Sequence, residues 1–296
     1  MNKIGILCNP YYPQTWELAS LIQATLQQRG IQVLCNSADL ESGPPSFPPD
    51  LDILITLGGD GTMLRAAHLV SNVATPILGI HMGRLGFLAE VRVEEWPANL
   101  DRILAGQYWV EERAMLRGEL RRRGELLGPW EALNEIVIGR SGISHMVQLA
   151  TFVDGGYFTT YVADGLIVAT ATGSTAYALS SGGPILPPKL RNMLLVPICP
   201  HLSLDRTVVL ADGATVTVQV ESTRDGVLVV DGMTTIPLRQ EDQIVLTTSP
   251  HVARFVRLYD RRQVYETLLE RLKPRRIQRP SLDHRENRSS AESVEE

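Results

Sequence analysis

Short apolar runs rich in β-branched residues mark the first third of the chain. "IGILCNP", "IQVLC", "LDILITL" and "TPILGI" alternate with helix-length stretches such as Thr15 to Arg29, where Leu18, Leu21, Ile22 and Leu26 recur at helical spacing. That alternation predicts a parallel sheet with helices between its strands. "EEWPANLDRILAG" predicts one more helix before the rhythm changes near residue 110. From Trp109 onward, segments such as "MLRGELRRRG", "NEIVIGR", "YFTTYVADGLIVAT" and "GVLVVDGMTTIPL" alternate apolar and polar residues between Asp-Gly turns. These predict antiparallel strands joined by hairpins.

The expected fold is therefore an α/β N-terminal domain with a parallel sheet, over residues 1–110, and a β-rich, sandwich-like C-terminal domain over 111–252. A segment at 253–273 is expected to return to the first domain as a strand and a helix. The tail at 274–296 lacks apolar periodicity and reads as disordered. The proline-rich stretch "SADLESGPPSFPPD" predicts an exposed loop.

With 296 residues, 44% of them hydrophobic, two cores can be buried. The net charge of −5 argues against a general nucleic-acid binder. No lysine precedes Ser or Thr, which excludes a Walker A phosphate loop. The three cysteines, Cys8, Cys35 and Cys199, are too far apart for a metal pair and read as reduced core thiols. No signal peptide and no apolar stretch of membrane-spanning length is present, so a cytoplasmic protein is expected.

The chemistry concentrates where "LDILITL" ends. Gly58, Gly59, Asp60, Gly61 and Thr62 follow that strand and open a helix. Ligands of an open parallel sheet bind beyond the carboxyl ends of its strands. Glycines let backbone approach a phosphate, and the amides of a helix N-terminus point at an anion. A carboxylate there would repel that phosphate unless it bound Mg²⁺ or took a proton from an incoming hydroxyl, and both tasks belong to phosphoryl transfer. A plain turn with Asp as a helix cap is the competing explanation. Arg65, one turn into the helix, could reach the same anion, and an Arg on a solvated helix face is an equally common reading.

Gly-Gly-Asp-Gly-Thr after a hydrophobic strand resembles the signature of NAD kinases and, more loosely, of their diacylglycerol, sphingosine and 6-phosphofructokinase relatives. "LNEIVIGR", with Asn134 and Glu135, and "DGLIVATATGSTAYALSSGGPIL", from Asp164 to Leu186, are similar to the NAD kinase pattern, as are "GRLGFLAEV" and "LVPICPH". Each also has a direct reading. An Asn-Glu pair offers donors and acceptors to a ribose, or it pins a strand edge. "TGSTAY" supplies amides, hydroxyls and an aromatic ring to a dinucleotide, and no nucleophile elbow surrounds Ser174.

The resemblance implies that Asp60 accepts the proton of the adenosine-ribose 2′-hydroxyl of NAD. It implies a dinucleotide site lined by Gly61, Arg65, Asn134, Glu135, His145, Asp164, Thr175, Ala176, Tyr177, Ala178, Leu179 and Ser180. ATP or polyphosphate is the implied donor, with a divalent metal, Mg²⁺ by expectation, and a homodimer or homotetramer is the implied assembly. Several positions depart from the usual family pattern: "HMGR" at 81–84, Val162, Ala171 and Met233. A lipid kinase would need a membrane-facing surface, and neither a basic amphipathic helix nor a lipidation signal is visible. A non-catalytic NAD sensor would have no need of Asp60.

Overall fold

The computed structural model describes residues 1–38, 46–83, 86–142, 145–222 and 226–259. The expected 274–296 tail, the helical part of 253–273 and much of the proline-rich loop lie outside them.

The N-terminal third runs β1 (Lys3–Cys8), α1 (Gln14–Gln28), β2 (Gln32–Ser37), β3 (Ile53–Gly58), α2 (Asp60–Val70), β4 (Ile77–His81), β5 (Val91–Arg92) and α3 (Trp96–Leu104). Then follow β6 (Trp109–Arg122), β7 (Glu125–Ala132), β8 (Glu135–Arg140), β9 (Val147–Val153), β10 (Gly156–Ala163), β11 (Gly165–Ala169) and α4 (Tyr177–Ser180). The order ends with β12 (Met193–Ile198), β13 (Val208–Leu210), β14 (Val216–Val220), β15 (Gly226–Val230), β16 (Thr234–Leu238) and β17 (Gln243–Arg257).

β1 to β4 pair in parallel, as the apolar runs predict. Every residue of β3 is buried, because α1 and α3 cover one face of these strands and α2 the other. In α1 the buried stripe is Thr15, Leu18, Ala19, Ile22 and Leu26, whereas Leu21 is exposed. The buried stripe is thus shifted round the helix from the one the sequence pattern suggests, towards the edge that carries Thr15 and Ala19 and away from Leu21. Cys8 is buried as expected, while Cys199 is exposed at a left-handed turn with φ 46°.

The second half is antiparallel, also as expected. β13-β12-β11-β8-β15-β16 form one sheet. Its inner face, with Ile136, Ile138, Leu166 and Val168, packs on Tyr161, Val216, Val218, Ile244 and Leu246 of a second sheet.

That second sheet does not stop at the parallel strands. Among the described residues it is eleven-stranded, in the order β10-β9-β14-β17-β4-β3-β1-β2, with β5 on β4, β6 on β17 and β7 on β6. β17 makes the join. Its first part pairs with β14, and Phe255 near its end pairs in parallel with Ile77 of β4. Between the two parts the register with β6 shifts, from Thr248 to Val252. Glu131 of β7 holds this irregularity, accepting from Ser249 Oγ at 2.5 Å and lying 2.8 Å from His251 Nδ1.

Candidate active site

β3 delivers Gly58 to the carboxyl edge of the parallel strands, and the chain turns at once into α2. Close packing forces the first glycine: a Cβ on Gly58 would lie 2.3 Å from Thr62 Oγ1. Gly61 has no such neighbour, and a Cβ there would meet nothing within 4 Å. Its missing side chain leaves the first turn of α2 open to an approaching group, next to the amides of the helix N-terminus. Asn9, just beyond β1, completes the floor, with Nδ2 donating to Thr62 Oγ1 at 3.3 Å.

Asp60 is the first residue of α2, and its carboxylate is fixed from outside the helix. Phe87 N donates to Oδ2 at 2.7 Å and Leu88 N to Oδ1 at 3.1 Å. Both amides belong to the segment between β4 and β5. Each oxygen keeps a further lone pair, so the carboxylate is oriented without being used up as an acceptor.

His81, the last residue of β4, stands beside the same loop. Its Nδ1 accepts from Gly83 N at 3.0 Å, which places the proton of the neutral ring on Nε2. Nε2 is the nearest group to the Cβ position of Gly59, at 3.8 Å. Arg65 is directed elsewhere, to the Ala38 carbonyl beyond β2.

The second half of the site is built around a turn. Asp231 and Gly232, between β15 and β16, both take positive φ, 47° and 68°, as a hairpin Asp-Gly does. That turn aims the buried Asp231 carboxylate at the start of β8. Oδ2 accepts from Leu133 N at 2.7 Å, and Oδ1 accepts from Asn134 N at 2.8 Å and Glu135 N at 2.9 Å. His68 Nε2 of α2 lies 2.7 Å from Oδ2. The helix that begins with Asp60 is thereby latched to the carboxylate that arranges Asn134 and Glu135.

Glu135 is buried and its Oε2 has no hydrogen-bond partner. Burial, and then the negative Asp231 nearby, push its carboxyl up to about 8, although the Tyr177 amide donating to it pulls the other way. A carboxyl raised this way favours its protonated form, which has an O–H to donate.

The "TGSTAY" loop packs over Asn134. Thr170 Oγ1 donates to the Leu133 carbonyl at 2.6 Å and Thr170 N to the Asn134 carbonyl at 2.8 Å. A Cβ on Gly173 would lie 2.0 Å from that Asn134 oxygen, so only glycine fits. Ser174 is fully buried, its hydroxyl donating to the Ala171 carbonyl and accepting from Leu186 N. Thr175 Oγ1 donates to the Thr172 carbonyl. Ala176, just before α4, is half-buried; within α4 Ala178 is buried, Leu179 is half-buried, and Tyr177 and Ser180 are exposed.

Two candidates lie apart. Asp164 is paired with Arg140 at 2.9 Å, at the opposite end of β8 and β11 from Glu135. His145 is exposed in the connection from β8 to β9. Among the described residues no three His, Cys, Asp or Glu side chains cluster as metal ligands.

Residues 39–108 match the ATP-NAD kinase N-terminal domain, and residues 133–258 match the ATP-NAD kinase C-terminal domain. The chain belongs to the NAD kinase family. An NAD kinase of Chloroflexus aggregans is 41% identical over 273 residues, covering 92% of this chain and 99% of its own. One from Moorella thermoacetica is also 41% identical, covering 92% and 90%. A yeast NADH kinase solved with NADH superposes with a TM-score of 0.78 at 26% identity, covering 94% of this chain and 90% of that one. An Archaeoglobus fulgidus NAD kinase solved with ATP gives 0.72 at 26% identity, covering 90% and 98%.

Family membership makes the chain a kinase, and its glycine cluster was legible from the sequence. Asn9, His68, Gly86 and Asp231 were not singled out. Asp231-Gly232 was visible only as a turn signal, and His81 only as a departure from the family pattern.

Proposed function

We propose that this protein transfers the γ-phosphoryl group of ATP to the adenosine-ribose 2′-hydroxyl of NAD, giving NADP. NAD phosphorylation with ATP is the activity that the family and its neighbours named for NADH and ATP support. The observation that carries the finer reading is the Asp60 carboxylate, held by two backbone amides at the open N-terminus of α2.

In this reading the donor phosphates lie over Gly58 to Thr62, in reach of the α2 amides and the Nε2–H of His81. The acceptor ribose lies between Asp60 and the Asn134–Glu135 corner, with the dinucleotide continuing along Thr175 to Ser180. Asn134 and protonated Glu135 hold ribose hydroxyls, and Asp60 receives the 2′-hydroxyl proton as the bond to phosphorus forms. In a loose transition state that proton leaves late, so an ordinary carboxylate suffices.

Mg²⁺ fits such a site, because it commonly rests on substrate phosphates with one or two carboxylates. Asp60 is the carboxylate of this loop, and the ion would neutralise charge on the phosphates. Gly61 belongs to the phosphate floor. Arg65, His145 and Asp164 remain dinucleotide contacts only by family likeness.

The same reading divides the chain at about residue 110 into donor and acceptor parts. It further expects a cytoplasmic homodimer or homotetramer. No helix among the described residues is long and apolar enough to cross a membrane.

The test is NADP⁺ formation from the purified protein with NAD⁺, ATP and Mg²⁺, with Asp60→Asn beside it. A general base is worth about 10² to 10⁴-fold, so the variant should lose at least ~10² in kcat while still binding NAD⁺. Wild-type rates in Asp60→Asn would remove Asp60 from the chemistry. No product with either ATP or polyphosphate, and with either NAD⁺ or NADH, would overturn the kinase reading for a binding protein.

A further inference from the structure

A buried ionic cluster links the two halves of the site, and the chemistry above makes no use of it. Glu111 and Arg113 stand on β6, and Arg257 ends β17, the neighbouring strand. All three are buried. Both guanidinium groups donate to one atom, Glu111 Oε2, Arg113 through Nη2 at 2.8 Å and Arg257 through Nε at 2.8 Å. Burial works against the charge on Glu111, but Arg113 and Arg257 outweigh it and hold the carboxyl below the usual carboxylate range. The Phe255 ring packs against both cations, at 5.4 Å from Arg257 and 6.0 Å from Arg113.

The outer ends of the two arginines point to opposite sides of the site. Arg257 Nη1 donates to the Leu88 carbonyl at 2.7 Å, and Leu88 N is one of the two amides that hold Asp60. Arg113 Nη1 donates to Thr172 Oγ1 at 3.3 Å, in the loop whose Gly173 packs on the Asn134 carbonyl. An unbroken path thus runs from Asp60 through Leu88, Arg257, Glu111 and Arg113 to Thr172.

Glu90 borders the cluster, with Oε2 at 3.6 Å from Arg257 Nη1 and Oε1 accepting from Tyr259 N. A layer of apolar side chains is often at least as stable as a buried ion cluster of this size, so stability alone does not account for it. Directional bonds to two site loops are what an apolar layer could not supply.

We propose that Glu111, Arg113 and Arg257 are positioning residues that fix the Asp60 carboxylate relative to the loop receiving the acceptor. The proposal rests on the kinase reading. A displacement near 1 Å can cost about 10²-fold in rate, so breaking the path should act on kcat.

The test compares Arg257→Met with wild type in the full chain, by steady-state kinetics and thermal unfolding. We expect kcat to fall about 10- to 100-fold, with KM for NAD⁺ and ATP within about threefold. In the Asp60→Asn background the same substitution should add almost no further loss, because its effect passes through that carboxylate. A folded Arg257→Met with wild-type kcat, or with the same loss on the Asp60→Asn background, would overturn the proposal.

If Arg257→Met does not fold, Arg257→Lys decides. It keeps the charge but not both hydrogen bonds, so a lowered kcat at unchanged KM is expected, and wild-type kcat overturns the proposal. Wild type that makes no NADP⁺ would instead count against the kinase reading itself.

Discussion

The Asp60 carboxylate lies directly against Gly86. A Cβ on that glycine would sit 2.3 Å from Oδ2 and 2.4 Å from both Cγ and Oδ1, so no side chain fits while Asp60 keeps its place. The Phe87 and Leu88 amides follow at once and orient both oxygens. Gly86→Ala must therefore move either the carboxylate or the segment that holds it. We expect kcat to fall about 10²-fold with NAD⁺ affinity kept, read by steady-state kinetics and calorimetry. Unchanged kcat would show that Asp60 is placed by α2 alone.

His81 presents its Nε2–H to the glycine loop because Gly83 N occupies Nδ1. A hydrogen bond to a charged phosphate is worth about 1.5–3 kcal/mol, so His81→Ala should weaken the donor by roughly 10- to 100-fold in kcat/KM. ATP and polyphosphate should be affected alike, since the contact is to phosphate. An effect confined to NAD⁺ would place His81 on the acceptor side.

Glu135 sets a dependence of stability on pH. Its carboxyl is raised in the fold from 4.5 to about 8, so the native state binds the proton more tightly than the unfolded chain. The cost of ionising it is absent below about 4.5, grows as pH rises, and is fully present above about 8. Glu135→Gln copies the neutral form and should be more stable than wild type at pH 9, by roughly 1–3 kcal/mol, with no gain at pH 4. Denaturant titrations at the two pH values would show it, and an equal difference at both would remove Glu135 as the source.

Asp231 is the acceptor for three consecutive backbone amides and faces His68. Truncation to Ala leaves three buried donors without partners, at about 1 kcal/mol each or more, so Asp231→Ala should lose roughly 3 kcal/mol. His68→Ala removes one contact and should lose about 1 kcal/mol. If Asp231→Ala cost less than His68→Ala in urea unfolding, the carboxylate would not be the organiser of that corner.

What the sequence determined is what neighbours along the chain control. Period-two and helical alternation separated the parallel strands and helices from the antiparallel strands, since burial on one face must follow the geometry of the element. Gly58 to Thr62 announced a strand-to-helix turn with a lone carboxylate, because glycine and Asp there have few other uses. Asn134, Glu135 and the loop at Gly173 were legible as polar residues at strand ends.

Tertiary structure alone decided which of these groups meet. His68 and Asp231 are 163 residues apart, and nothing local in "VVDGM" marks its Asp as the anchor of β8. Gly86 reads as an ordinary loop glycine until Asp60 is seen against it. The sequence expects a segment from residue 253 to return to the first domain, but nothing in it shows that a single strand, β17, joins the parallel strands to the antiparallel ones within one sheet. Leu21 fits the helical stripe but faces solvent, since the edge of a buried face is set by what packs on it. Local pattern fixes backbone conformation and facing, whereas the contacts that orient a carboxylate come from segments far along the chain, brought together only when both cores close.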